Sequence, residues 1–130
     1  MYLVDGGNQR RSFTHVDDAS DAFSTIIGDP RSVNEIFNVG NPDTDTSIRE
    51  LALYLMEMYT DLTGKPANNE LIEISGEEFY GAGYEDMDRV PPDISKLSSL
   101  GWTPVRDKYT TFSDAMKYNL NPDVHASILS

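Results

Sequence analysis

The sequence predicts a mixed α/β chain, with helices outnumbering a few short strands, that forms part of something larger. Three observations predict it. Segments with apolar residues at helical spacing alternate with short β-prone runs. Those runs, near residues 2–4, 12–16, 35–39 and 71–74, are too few and too short for an independent doubly wound sheet. The helices also carry more apolar surface than such strands can cover, so an exposed apolar face is expected.

Taken in order, Tyr2-Leu3-Val4 reads as a strand entering the turn Asp5-Gly6-Gly7-Asn8, where glycine supplies positive φ. Ser12-Phe13-Thr14-His15-Val16 extends again before a helix opens at Asp17 or Asp18. That helix places Ala19, Ala22, Phe23, Ile26 and Ile27 on one face, and Gly28-Asp29-Pro30 closes it. Glu35-Ile36-Phe37-Asn38-Val39 is a strand candidate ended by Gly40-Asn41-Pro42. Ser47-Ile48-Arg49-Glu50 fits the capping box, and Leu51, Ala52, Leu55, Met58, Tyr59 and Leu62 follow at helical spacing. Residues 71–74 read as another strand, and residues 75–92 as a Gly- and Tyr-rich loop. Asp93 caps a short helix over residues 94–100 that Gly101 terminates. Thr110 or Thr111 starts a last helix burying Phe112, Ala115 and Met116, and the tail after Asn121 is frayed.

The 130 residues suffice for one domain with a core and are too short for two ordinary ones. Acidic residues outnumber basic ones 22 to 10, a net charge of −12. Nucleic acid and anionic membrane both require clustered positive charge, so neither is an expected partner. The absence of cysteine excludes disulfides, thiolate metal sites and Cys nucleophiles. No apolar run approaches the roughly 20 residues of a membrane span. No basic-then-apolar signal pattern opens the chain, so the expected compartment is the cytoplasm.

Several residues invite a chemical reading. His15 with Asp17 and Asp18 has the composition of a metal site, but such sites need three or four convergent ligands and His125 sits in the tail. Capping and the positive helix end explain the two aspartates, and no metal is expected. His15 has no evident Ser partner and no Gly-x-Ser-x-Gly elbow exists. Asp86 and Asp88 read as a solvated loop in so acidic a chain. Arg10 and Arg11 follow the Gly-Gly turn, and a guanidinium fork matches two diphosphate oxygens at once. The alternative is a surface arginine pair. Along an extended segment neighbours point to opposite faces, so only one of the two can face a ligand. Phe79-Tyr80-Gly81-Ala82-Gly83-Tyr84 either covers a ligand with flat apolar rings or packs on its own domain.

The run from Asp5-Gly6-Gly7-Asn8-Gln9-Arg10-Arg11-Ser12-Phe13-Thr14 through His15-Val16-Asp17-Asp18 resembles the segment after the cofactor domain in extended short-chain dehydrogenases acting on nucleotide sugars, the NAD-dependent epimerase/dehydratase family. Glu35-Ile36-Phe37-Asn38-Val39-Gly40-Asn41-Pro42, then Ser47-Ile48-Arg49-Glu50-Leu51, is the next block of that pattern. Leu100-Gly101-Trp102-Thr103-Pro104 is its approach to the final helix. Tyr80-Gly81-Ala82-Gly83-Tyr84-Glu85-Asp86 resembles, within that family, the UDP-glucuronic acid decarboxylases of the aminoarabinose (polymyxin-resistance) pathway. The resemblance runs from about Tyr2 to Tyr118.

The resemblance implies the C-terminal portion of an extended NAD(P)-binding Rossmann-type enzyme. Residues 1–120 would be its substrate-binding region and residues 121–130 a tail, with the N-terminal cofactor domain absent. NAD would serve the parent enzyme, with no cofactor in this chain, and a UDP-sugar would be the ligand. The missing cofactor domain or another chain would be the partner. In the parent, NAD would oxidise C4 of the sugar, turning the neighbouring carboxylate into a β-keto acid that loses carbon dioxide. The family's Gly-rich turn and Tyr-x-x-x-Lys pair are not found: Gly81-Ala82-Gly83 runs on to Asp86, and no tyrosine has Lys four residues later. The chain alone is therefore expected to be catalytically silent. Position by position, Arg11 matches the arginine contacting the UDP part, in a nucleotide-lining segment that starts near Tyr2, and Tyr84 matches the tyrosine touching the substrate. The decarboxylases also carry a proton-donating arginine in this loop. Counted without gaps from Tyr84 it falls on Val90, and a one-residue shift beside Pro91-Pro92 assigns it to Arg89. The same match turns Arg11 inward and leaves Arg10 towards solvent. Two other functions fit the pattern: an epimerase or dehydratase of the same superfamily, and a stand-alone non-catalytic module that binds a nucleotide sugar or a partner.

Overall fold

The structure, a computed structural model, describes residues 1–85 and 91–123. The chain runs β1 (Tyr2–Val4), β2 (Arg10–Arg11), α1 (Val16–Gly28), β3 (Thr46–Ser47), α2 (Ile48–Thr63), β4 (Ile72–Ile74), α3 (Gly76–Tyr80), α4 (Ser95–Ser98) and α5 (Lys108–Leu120). The fold is mixed α/β with two two-stranded sheets among the described residues. It divides into two compact units, Met1–Arg11 with Asp45–Val90, and Ser12–Thr44 with Pro91–Ser130. No helix of the described residues is long and apolar enough to cross a membrane.

In the first unit β1 and β4 pair in parallel, with Tyr2 opposite Ile72 and Val4 opposite Ile74. Leu3 between them is fully buried. The strand ends in a tight 3-10 turn, Asp5–Gly7, with positive φ at Asp5, Gly6 and Gly7. Gly7 is required there for space as well as dihedral angle, since a methyl group on it would lie 2.9 Å from the backbone nitrogen of Arg49. Arg49 Nε in turn donates to the Gly6 carbonyl at 2.9 Å, tying the turn to α2.

The pairing that follows differs from the expected extension over residues 12–16. The ladder forms one step earlier, between β2 and β3, with Arg10 opposite Ser47 and Arg11 opposite Thr46. The capping box at Ser47 is complete in both directions: Ser47 Oγ accepts from Glu50 N at 3.1 Å and Glu50 Oε2 accepts from Ser47 N at 2.8 Å. Gly64, left-handed at φ 68°, ends the helix. Residues 76–80, expected within a loop, form α3 instead. Ser75 Oγ accepts from Glu78 N at 3.1 Å, so the Ser-x-x-Glu signature that marks α2 also starts this shorter helix.

In the second unit α1 opens at Val16, capped by His15 rather than by an aspartate: the imidazole Nδ1 accepts from Asp17 N at 3.1 Å. Asp18 is instead buried, accepting from Arg106 Nη1 at 2.6 Å and Arg106 N at 3.1 Å. Trp102 Nε1 donates to the Asp18 carbonyl at 3.1 Å. Around this tie Ala22, Leu97 and Trp102 form a core, with Ile26, Phe37, Val39, Ile94 and Leu100 packed against it.

Of the expected apolar face of α1, Ala22 and Ile26 turn to this core, while Phe23 and Ile27 are 60% and 85% exposed. Residues 35–39 keep strand-like alternation, Phe37 and Val39 inward and Ile36 85% exposed, but join no ladder among the described residues. A strand needs a neighbour that takes up its amides, and none of the described segments pairs with this one in a ladder. Asp93 Oδ1 accepts from Ser95 N at 2.9 Å before α4, which is shorter than the expected helix. The last helix starts at Lys108, capped by Asp107, whose Oδ1 accepts from Thr110 N at 2.7 Å. Phe112 is buried edge-on against Phe13, whereas Ala115 is exposed.

Candidate functional site

A cavity of about 310 Å³ opens in the first unit. Tyr2 and Val4 reach it from β1, Gln9 and Arg11 from β2 and its approach, Ile48 from the first turn of α2, and Phe79, Tyr80 and Tyr84 from the segment after β4. Three residues that the sequence singles out, Tyr2, Arg11 and Tyr84, thus line one space although 82 positions separate the first from the last. Arg89, Val90, Asp86 and Asp88 lie outside the described residues, as does His125.

The local folding explains which side chains line the cavity. Along β2 the side chains alternate. Arg11, expected to turn inward, borders the cavity while remaining exposed, and its Nη1 donates to the Arg10 carbonyl at 2.8 Å. Arg10, expected towards solvent, is instead held on the other face by carboxylates, its Nε 2.7 Å from Asp45 Oδ2 and its Nη1 3.3 Å from Glu50 Oε2. The Asp45 hydrogen bond chiefly raises the Arg10 pKa further. Gln9 Nε2 donates to the Val4 carbonyl at 3.1 Å, which fixes the amide at the cavity edge.

The aromatic part of the lining is a row of rings. Tyr84 stacks on Tyr80 with centroids 4.2 Å apart and planes at 25°. Tyr80 meets Phe79 edge-on at 4.8 Å, and Phe79 lies 6.1 Å from Tyr2. A guanidinium and flat aromatic surfaces lining one small cavity suit a planar base joined to an anionic group. Sequence reasoning missed Gln9, Ile48 and the part of Gly76 described below. Ile48 reads only as a helix residue, because nothing local shows that the first turn of α2 abuts β2.

The Gly-Gly turn does not fit a dinucleotide. The space beside Gly7 is filled by Arg49, and the turn leads into β2 rather than into a helix whose amides would receive a pyrophosphate. A second cavity, about 780 Å³, lies in the other unit beside Phe13, His15, Phe112 and Tyr118. There His15 Nε2 is 3.5 Å from Asp114 Oδ2. Among the described residues no group of three or more His, Asp or Glu is placed to hold a metal ion.

Comparison with known proteins agrees with the fold. Residues 1–40 match the NAD dependent epimerase/dehydratase family. The UDP-D-apiose/UDP-D-xylose synthase of Oryza sativa subsp. japonica is 36% identical over 135 residues, covering 93% of this chain and 34% of the synthase. PbgP3 protein from Burkholderia pseudomallei has a similar structure, with a TM-score of 0.72 and 30% identity over 91% of this chain and 34% of its own. The dTDP-glucose 4,6-dehydratase of Bacillus anthracis str. Ames, solved in complex with NAD, shares the fold at a TM-score of 0.66 and 18% identity, covering 95% of this chain and 35% of that one. The first 40 residues thus match the NAD-dependent epimerase/dehydratase family, and the fold is that of a portion of extended short-chain dehydrogenases. It spans about a third of the length of the relatives it matches.

Proposed function

We propose that this chain is the nucleotide-sugar-binding portion of an NAD-dependent enzyme of this family, most like a UDP-glucuronate decarboxylase. One observation carries the reading: Tyr2, Arg11 and Tyr84, selected from the sequence for a UDP-sugar, line the same cavity. Arg11 binds the diphosphate, Tyr84 and its ring row cover the nucleotide sugar, and Arg89 is the loop arginine that donates a proton to the decarboxylated sugar. That UDP-apiose/UDP-xylose synthase and dTDP-glucose dehydratase are named for nucleotide sugars supports the substrate class.

NAD binding belongs to a region outside these 130 residues, since the turn after β1 does not fit a dinucleotide and no Tyr-x-x-x-Lys is present. We assign residues 1–120 to the substrate-binding region and 121–130 to a tail. The exposed Phe23 and Ile27 on α1, and Ile36 in a segment that alternates like a strand without a ladder among the described residues, support docking of that cofactor region or of another chain on the second unit. An epimerase or dehydratase remains the second reading, favoured by the gapless register that puts Val90 in the arginine's place and by the likeness to the dehydratase fold.

Calorimetry with UDP on single variants tests the cavity. A charge-assisted contact to phosphate contributes about 1.5–3 kcal/mol, so Arg11→Ala weakens binding roughly ten- to a hundredfold. Arg10→Ala, already engaged with Asp45 and Glu50 on the other face, leaves affinity nearly unchanged. Equal losses for the two variants would replace the directed contact with a diffuse electrostatic patch.

A further inference from the structure

Tyr84 is the aromatic residue furthest along the chain in the cavity wall, and its place depends on a residue with no side chain. Gly76 is buried at the start of α3, and its φ is not in the left-handed region, so dihedral freedom does not explain it. Space does. A methyl group on Gly76 would lie 2.8 Å from Tyr84 Cδ1 and 2.6 Å from Asp5 Oδ2. Both contacts are closer than packed carbon and oxygen tolerate. The Tyr84 ring therefore lies directly on the backbone of Gly76.

Asp5 completes the arrangement from the other strand. β1 and β4 are parallel and end together at Val4 and Ile74, so Asp5 and Gly76 leave adjacent strand ends. Asp5 adopts φ +47°, uncommon for a residue with a side chain. This conformation brings its Oδ1 to 2.8 Å from Gly76 N, which donates to it. Asn8 Nδ2 donates to the Asp5 carbonyl at 3.0 Å and closes the turn around it.

We propose that Gly76 and Asp5 are positioning residues for Tyr84: the carboxylate fixes the backbone of Gly76, and the bare Cα sets the depth at which the ring meets Tyr80 and faces the cavity with Arg11. The effect on nucleotide affinity rests on the reading of that cavity as a UDP-sugar site; the effect on ring position does not. Any residue larger than glycine at position 76 lifts the ring, and loss of the Asp5 acceptor lets position 76 move.

The test combines aromatic NMR of the full chain, selectively labelled at tyrosine, with UDP titration. In Gly76→Ala the Tyr84 ring resonances and their cross-peaks to Tyr80 are expected to move. UDP affinity is expected to fall about three- to tenfold, the scale of one aromatic contact. In a Tyr84→Ala background the same substitution is expected to have no further effect on affinity, which a general loss of stability would not achieve. Asp5→Asn, which keeps an acceptor oxygen and tolerates positive φ, is expected to disturb the ring less than Asp5→Ala. If Gly76→Ala does not fold, the Asp5 pair decides by the same ring readout. Unmoved Tyr84 resonances, equal disturbance by the two Asp5 variants, or an affinity loss that persists without Tyr84 would overturn the proposal. Absence of UDP binding to the unaltered chain would defeat the functional reading of the cavity while the ring shifts still decided the positioning.

Discussion

Asp18 has to remain ionised while almost wholly buried, and its neighbours show how. Burial alone pushes its carboxyl pKa up, but donation from the Arg106 backbone and guanidinium and from the Val105 backbone together hold it below its usual 3.8. A depressed folded pKa means a contribution to stability that is complete above the unfolded value and lost as pH falls through the folded one. Trp102, the only tryptophan, donates to the Asp18 carbonyl and reports on the tie. Its fluorescence is expected to hold steady from neutral pH down to about pH 4 and to change below it. Arg106→Ala should move the transition to higher pH, because burial then acts with less opposition; an unchanged midpoint would show that the tie does not govern acid sensitivity. At this scale the sequence was legible only where a residue acts locally. The alternation that separates Arg10 from Arg11 follows from two adjacent positions. The Asp18–Arg106 pair spans 88 positions and leaves no local mark, so Asp17 and Asp18 read as caps. His15 took that role because its ring nitrogen reaches an amide two residues on, although histidine is not among the preferred caps.

Elements were legible where they stabilise themselves. Both halves of the capping box at α2 are spelled out in Ser47-Ile48-Arg49-Glu50, and its hydrogen bonds from the Ser47 backbone lower the Glu50 pKa to about 2. Replacing Ser47 with alanine is expected to destabilise the chain by about 1 kcal/mol in urea unfolding. Because Ile48 lines the cavity and Arg49 braces the Gly6 carbonyl, it should also weaken UDP binding modestly; unfolding indistinguishable from the unaltered chain would show that the box does not hold α2. The same Ser-x-x-Glu signature at Ser75 was hidden by the glycines and tyrosines after it, and α3 read as loop. Residues 35–39 failed in the opposite direction. Their alternation is that of a strand, but ladder formation is a property of two segments, and no ladder forms there among the described residues. The short β2–β3 ladder escaped notice because two residues carry no periodicity.

At the scale of the whole molecule, the sequence predicted a portion of a larger enzyme, and the relatives it matches are about three times as long. Exposed apolar side chains do occur, at Phe23 and Ile27 on α1 and at Ile36 in the extended segment that joins no ladder among the described residues. What no local pattern supplied was the convergence of β1, β2, α2 and the segment after β4 on one cavity, since that depends on the parallel pairing of β1 with β4 across 70 positions. In a chain of net charge −12, a directed cation favours an anionic ligand most, and Arg11 is the cation that lines the cavity. Two-dimensional amide NMR of the full chain titrated with UDP tests this most directly. Saturable shifts confined to the first unit, centred on Val4, Gln9, Arg11, Ile48 and Tyr84, are expected, together with their loss in Arg11→Ala. Shifts centred instead on Phe13, His15 and Phe112 in the second unit, or no saturable shift at all, would contradict this expectation.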